Sequence, residues 1–126
     1  MARSPFQYAM LRVVPRIERG ECLNAGVVLF ARTVEFLGVA VALDEDRLRA
    51  LHPDVDPAPI AAQLRGLARI GEGDPAAGPI ARLTQSQRFH WLVAPSSTVV
   101  QPSEVHTGLC DDPRRTLEHL VARLVL

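Results

Sequence analysis

The side chains best placed for chemistry crowd one loop. Glu18, Arg19, Glu21 and Asn24 follow one another closely, with Arg12 and Arg16 just upstream. A carboxylate beside a guanidinium and an amide can bind a polar ligand, or a hard metal through its oxygens. The same groups can also serve only to fasten a loop. Asn bonds to nearby backbone and tolerates left-handed geometry, and Gly26 permits close packing. The loop runs straight into Ala25–Ala31, a continuous apolar run, so the stretch from Arg19 to Phe30 is expected at the centre of a sheet.

Other reactive types are scattered. His90, His106, His119 and Cys110 carry metal-capable atoms, and His106 with Cys110 has a usable spacing, but no second tight pair accompanies them. No metal or cofactor is therefore expected. Cys22 and Cys110 have no activating neighbours in sequence and are too far apart to suggest a disulfide framework. Ser96, Ser97 and Ser103 sit in no nucleophile-elbow pattern. Gly71 and Gly73 lead into Asp and Pro rather than into the Lys and Thr of a phosphate-binding loop. Trp91 reads as half-buried core whose indole N–H needs one acceptor.

The elements that must position these residues follow from periodicity. Phe6–Val14 alternates imperfectly and ends at Pro15, as a strand with both faces partly covered does. Arg12 shares the parity of Met10 and Val14, so its charged head must find a partner or an edge. After Ala25–Ala31 come a turn at Thr33–Glu35 and a strand over Phe36–Leu43, which predict an antiparallel hairpin. Asp44 caps a short helix that Pro53 stops, with Leu48 and Leu51 turned inward. Asp56 and Pro57 start a second helix carrying Ile60, Leu64, Leu67 and Ala68, and Gly71 reads as its stop. Pro79–Leu83 adds a helical turn. Ser86–Ala94 reads as a helix capped by Ser86, Ser97–Gln101 as a strand, and Ser103–Cys110 as irregular. Asp112 and Pro113 open a last helix with Leu117, Leu120, Val121 and Leu124 in one apolar stripe, Leu120 expected to be buried. The order of elements predicts one α+β domain over residues 1–126, an antiparallel sheet of about four strands with helices packed on it.

Composition narrows the function. The chain has 126 residues, a hydrophobic fraction of 48% and formal net charge zero, values of an ordinary globular domain without bulk attraction to nucleic acid or anionic membrane. All of its basic residues are Arg. GC-rich codon usage explains that bias more simply than anion binding does. Phe6–Val14 is interrupted by Gln7 and Arg12 and lacks the shape of a signal peptide, and no run reaches the roughly 20 apolar residues that span a membrane. A cytoplasmic bacterial protein with reduced thiols is expected.

Two segments carry a resemblance. Tyr8-x-x-Leu11-Arg12-x-x-Pro15 followed by Arg19-Gly20-Glu21-x-x-Asn24-x-Gly26-Val27-Val28-Leu29-Phe30 resembles the start of the bacterial domain-of-unknown-function family numbered 3037 (DUF 3037). Arg88-Phe89-x-Trp91-Leu92-x-Ala94-Pro95 and Val105-His106-Thr107-Gly108-Leu109 are similar to its C-terminal half. The resemblance supplies no activity. It implies a protein partner, a HipA-like kinase-fold protein, because members are commonly encoded beside such proteins. The first expectation is thus a non-catalytic interaction or accessory module, with Arg12, Arg19, Glu21, Asn24, Trp91 and His106 as candidate ligand- or partner-binding residues. The alternative is a small hydrolytic enzyme with a polar site around Arg12, Glu21 and Asn24. A nucleic-acid binder fits poorly with a neutral chain that is poor in aromatic residues.

Overall fold

Three strands in succession build most of the sheet. In the computed structural model, which describes residues 3–126, β1 spans Ser4–Val13, β2 Leu23–Ala31 and β3 Phe36–Val41. β2 lies between β1 and β3, antiparallel to both. The other side of β1 is taken by two short antiparallel strands, β4 (Val100–Pro102) beside its C-terminal half and β5 (His106–Cys110) beside its N-terminal half. The sheet therefore has five strands, and both β1 and β2 are interior.

Helices cover both faces. On one face α1 (Glu45–Leu51), α2 (Pro57–Glu72) and α3 (Gln85–Leu92) pack Leu48, Ile60, Leu64 and Phe89 against Leu11, Val13, Val28 and Phe30. On the other, α4 (Pro113–Leu124) packs Leu117 against Phe6, Val27, Leu29 and Ala31. Asp44, Asp56 and Asp112 each accept backbone N–H bonds at their helix starts, the capping that their position before each helix predicts.

Several boundaries differ from expectation, each for a local reason. α2 continues past Gly71, which is buried where an added Cβ would lie 2.4 Å from Val39 Cγ2; it lets helix and sheet approach, and Gly73 at φ +73° ends the helix instead. α3 starts one turn-residue earlier than read, because Thr84 forms a reciprocal cap with Gln87 and Ser86 falls inside the helix. β4 begins only at Val100. The irregular reading of Ser103–Cys110 is corrected: His106–Cys110 is a strand. Its Gly108 makes it a poor strand former on its own, yet that glycine leaves room for the Phe6 ring of β1, 2.6 Å from where a Cβ would stand.

β4 and β5 are in effect one edge strand broken at Ser103. Ser103 donates its N–H to the Met10 carbonyl at 2.8 Å, and its Oγ accepts the Met10 N–H at 2.8 Å. The register of β1 moves by one residue between the Leu11–Pro102 and Tyr8–His106 pairs. Ser103 keeps Met10 hydrogen-bonded across that irregularity.

A second irregularity organises β2. Leu11 pairs with Gly26 but Arg12 pairs with Asn24, so Ala25 is an extra residue on β2, a β-bulge. Across it the side-chain alternation switches. Leu23 and Ala25 share a core with Val28 and Phe30, while Val27, Leu29 and Ala31 join the α4 side. The bulge thereby turns Asn24 toward α4.

In α4, Leu117 is buried, whereas Leu120, Val121 and Leu124 are half-buried at the margin of the same cluster. Leu120 is therefore not the buried centre of the stripe. Leu117→Ala should lower stability by about 2–5 kcal/mol, and Leu120→Ala by clearly less. Denaturant titration of the two variants checks the order; equal losses would contradict this packing.

Candidate functional site

The polar loop does not converge on one point. Between β1 and β2 a single 3₁₀ turn, Ile17–Arg19, ends in Gly20 at φ +70°. That left-handed residue brings Arg19 back beside Glu21, and the Arg19 Nε donates to Glu21 Oε1. Both side chains are exposed. The Arg19 hydrogen bond is the main cause that holds the Glu21 carboxyl below the usual glutamate range; desolvation opposes it, and the Arg19 and Arg16 charges add smaller contributions in the same lowering direction. Arg16 in turn donates from Nε to His52 Nδ1 at 3.2 Å, tying the loop to the end of α1.

Asn24 is already engaged. Its Nδ2 donates to the Leu124 carbonyl at 3.0 Å, while an Arg47 guanidinium N–H reaches the Val125 carbonyl at 3.3 Å. These are carbonyls at the C-terminal end of α4, which have no intrahelical donors. A cleft of about 440 Å³ beside them is lined by Cys22, Asn24, Arg47, Leu51 and Leu124; neither Arg12 nor Glu21 is part of its wall.

Arg12 and His106 lie elsewhere. Both project on the α4 side of the sheet; His106 is directly opposite Tyr8, and Met10 stands between Tyr8 and Arg12 on that face of β1. The Tyr8 and His106 rings lie 5.2 Å apart, and His106 Nε2 is 3.4 Å from Glu104 Oε1. The Glu104 carboxyl sits below the ordinary glutamate range, mainly through its own backbone N–H, with the Arg12 charge and His106 contributing further against desolvation. Arg12 forms no ion pair with any described carboxylate. α4 packs over β2 and β3, which leaves Tyr8, Met10, Arg12 and His106 half-exposed along the neighbouring strip.

Trp91 lies on the opposite face. It is 44% exposed, because Phe89 and Leu92 take the core positions of α3, so its reading as core is corrected. It borders a groove of about 290 Å³ with Leu67, Pro95 and Pro102. Cys110 is buried, and burial pushes its thiol up, opposed by a hydrogen bond with Thr116. Among the described residues no group of three His, Cys, Asp or Glu is placed to hold a metal ion, and no described helix is long and apolar enough to cross a membrane.

A family model described as "Protein of unknown function (DUF3037)" matches residues 8–125. The chain belongs to this family. Comparison with curated proteins finds no match, and comparison with solved structures finds none. Within this DUF3037 chain, the two segments that carried the resemblance meet in space: Tyr8 of the first lies directly opposite His106 of the second, with Arg12 further along the same strand. Tyr8 and Glu104 were missed as site candidates. Glu104 stands two residues before His106, a spacing that becomes informative only once β5 is known to pair with β1.

Two outcomes follow from this geometry. Asn24→Ala should lower stability by about 0.5–1.5 kcal/mol through the lost bond to Leu124, whereas Glu21→Gln, altering an exposed pair, should leave the unfolding midpoint unchanged. A destabilised Glu21→Gln protein in denaturant titration would reverse that division. Because the Glu104 carboxyl is depressed, its small contribution to stability is present above the unfolded glutamate pKa and is lost as pH falls through the lower folded value. In a side-chain carboxyl NMR titration, Arg12→Ala should move the Glu104 midpoint upward and leave that of Glu21 in place. A Glu104 midpoint that ignores Arg12 would show the two charges to be uncoupled.

Proposed function

We propose that this chain is a non-catalytic interaction module of the cytoplasm, with a HipA-like kinase-fold protein as its partner. The observation that carries the reading is the strip of sheet that α4 leaves open. Tyr8, Met10 and His106 offer aromatic and apolar area there, and Arg12 adds a guanidinium with no ion pair among the described residues. Tyr and Arg are the side chains that dominate binding energy at interfaces, since they combine large contact area with directed hydrogen bonds. The polar groups of the Arg19–Asn24 loop are, by contrast, already satisfied: Glu21 by Arg19, Asn24 by the end of α4. The free thiols Cys22 and Cys110 suit a reducing compartment.

A second reading, a small hydrolytic enzyme, draws support from one contact. Glu104 at 3.4 Å from His106 Nε2 can orient the imidazole as a general base, with Arg12 near to steady an anion. The site of that reading then shifts from Glu21 and Asn24, whose polar atoms are occupied, toward His106.

Calorimetric titration with a purified HipA-like kinase-fold protein, the proposed partner, separates the two. Arg12→Ala should weaken binding by at least about tenfold, or about 1.4 kcal/mol, with an unchanged melting temperature, and Glu21→Gln should bind as wild type. Full-strength binding by Arg12→Ala, or none by the wild type, contradicts the interaction reading.

A further inference from the structure

The outer edge of β5 carries unpaired backbone. Met10 directs both its N–H and its carbonyl toward Ser103. Backbone groups alternate sides along a strand, so Tyr8, Phe6 and Ser4 point the same way, to His106, Gly108 and Cys110. Thr107 and Leu109 therefore direct their N–H and carbonyl groups outward. No described backbone group bonds to them there. Their side chains are exposed, Leu109 to 62%.

Natural edge strands are blunted by lysines, prolines, bulges or a covering element. His106–Cys110 has no lysine, proline or bulge within it. Its defence against its own kind is charge at both ends. Two copies paired antiparallel about Gly108 would set Glu104 against Asp112 and bring Asp111 alongside, a like-charge register. An extended segment with a basic residue at each end meets Glu104 and Asp111 instead. Among the described residues the cation paired with Asp111 is Arg3 at 3.9 Å, an exposed and readily replaced pair.

We infer that β5 is an acceptor edge that takes an extended, basic-ended segment of a partner protein as a sixth strand, hydrogen-bonded to Thr107 and Leu109. Main-chain bonds supply affinity in this mode, and the charged ends select the occupant. The added strand would lie beside His106, on the side of β5 away from β1, so the inference deepens the interaction reading and rests on it.

The test uses the whole protein and a capped heptapeptide of alternating threonine and valine with arginine at each end. A second peptide with glutamate ends serves as control. In the free protein the Thr107 and Leu109 amides should exchange fast while the Gly108 amide is protected. The arginine-ended peptide should slow exchange at Thr107 and Leu109 by at least about tenfold, and the glutamate-ended one should not. Leu109→Pro removes an outward N–H that the fold does not use and should abolish the effect; Asp111→Arg should weaken it if Leu109→Pro does not fold. Unchanged exchange with the arginine-ended peptide overturns the inference, as does equal protection by both peptides or self-association of the wild type through β5. Binding of the kinase-fold protein that survives Leu109→Pro overturns the edge assignment alone, and the interaction reading then stands or falls on Arg12→Ala.

Discussion

At Gly26 the backbones of β2 and β3 pass so closely that a Cβ would stand 2.9 Å from the Ala40 carbonyl oxygen and 3.1 Å from Val41 Cγ1. Only glycine fits without displacing a strand. That close passage sits at the bulge where Ala25 is extra on β2, and the bulge decides which way everything before it faces. With regular alternation, Leu23 and Ala25 would leave the core they share with Leu11 and Leu48, and Asn24 would turn away from α4. The irregular register puts all three where they are used: two in the apolar core, the third holding the Leu124 carbonyl at the end of α4.

The same constraint sorts the polar residues into two populations. Those just before the bulge are spent on the protein itself, through the Arg19–Glu21 pair, the Arg16–His52 bond and the Asn24–Leu124 bond. On the β1–β5 side Arg12 has no ion pair with a described carboxylate. Arg12 projects from the strip that α4 does not cover, near Glu104, which also touches His106. Arg12 pairs with Asn24 in register, yet one serves the open surface and the other the clamp on α4. Under the proposed function, binding falls to β1 and its edge strands, and the loop is left as the fastening between β2 and α4.

Much of this was legible beforehand. The α+β class, the first three strands and the Asp-initiated helices follow from periodicity and capping chemistry, which are local. What was not legible depends on contacts between distant segments. β5 contains Thr107 and Gly108 and becomes a strand because β1 offers it a partner and Phe6 needs the space over Gly108. Gly71 looks like a helix stop until Val39 is seen packed on it. Trp91 looks like core until Phe89 and Leu92 are seen to fill that place. Among the candidate residues, neighbours in sequence such as Arg19 and Glu21 were easy to group. The grouping of Arg12 with Glu104 and His106 spans most of the chain, and no local pattern announces it.

The most direct measurement is an amide hydrogen-exchange map of the protein alone and mixed with a HipA-like kinase-fold protein, the proposed partner. Slowed exchange should appear along Tyr8–Arg12 and Glu104–Leu109, with the Arg19–Asn24 loop unchanged. Slowed exchange confined to Arg19–Asn24, with the β1–β5 strip exchanging as in the free protein, would contradict the division of roles proposed for these residues.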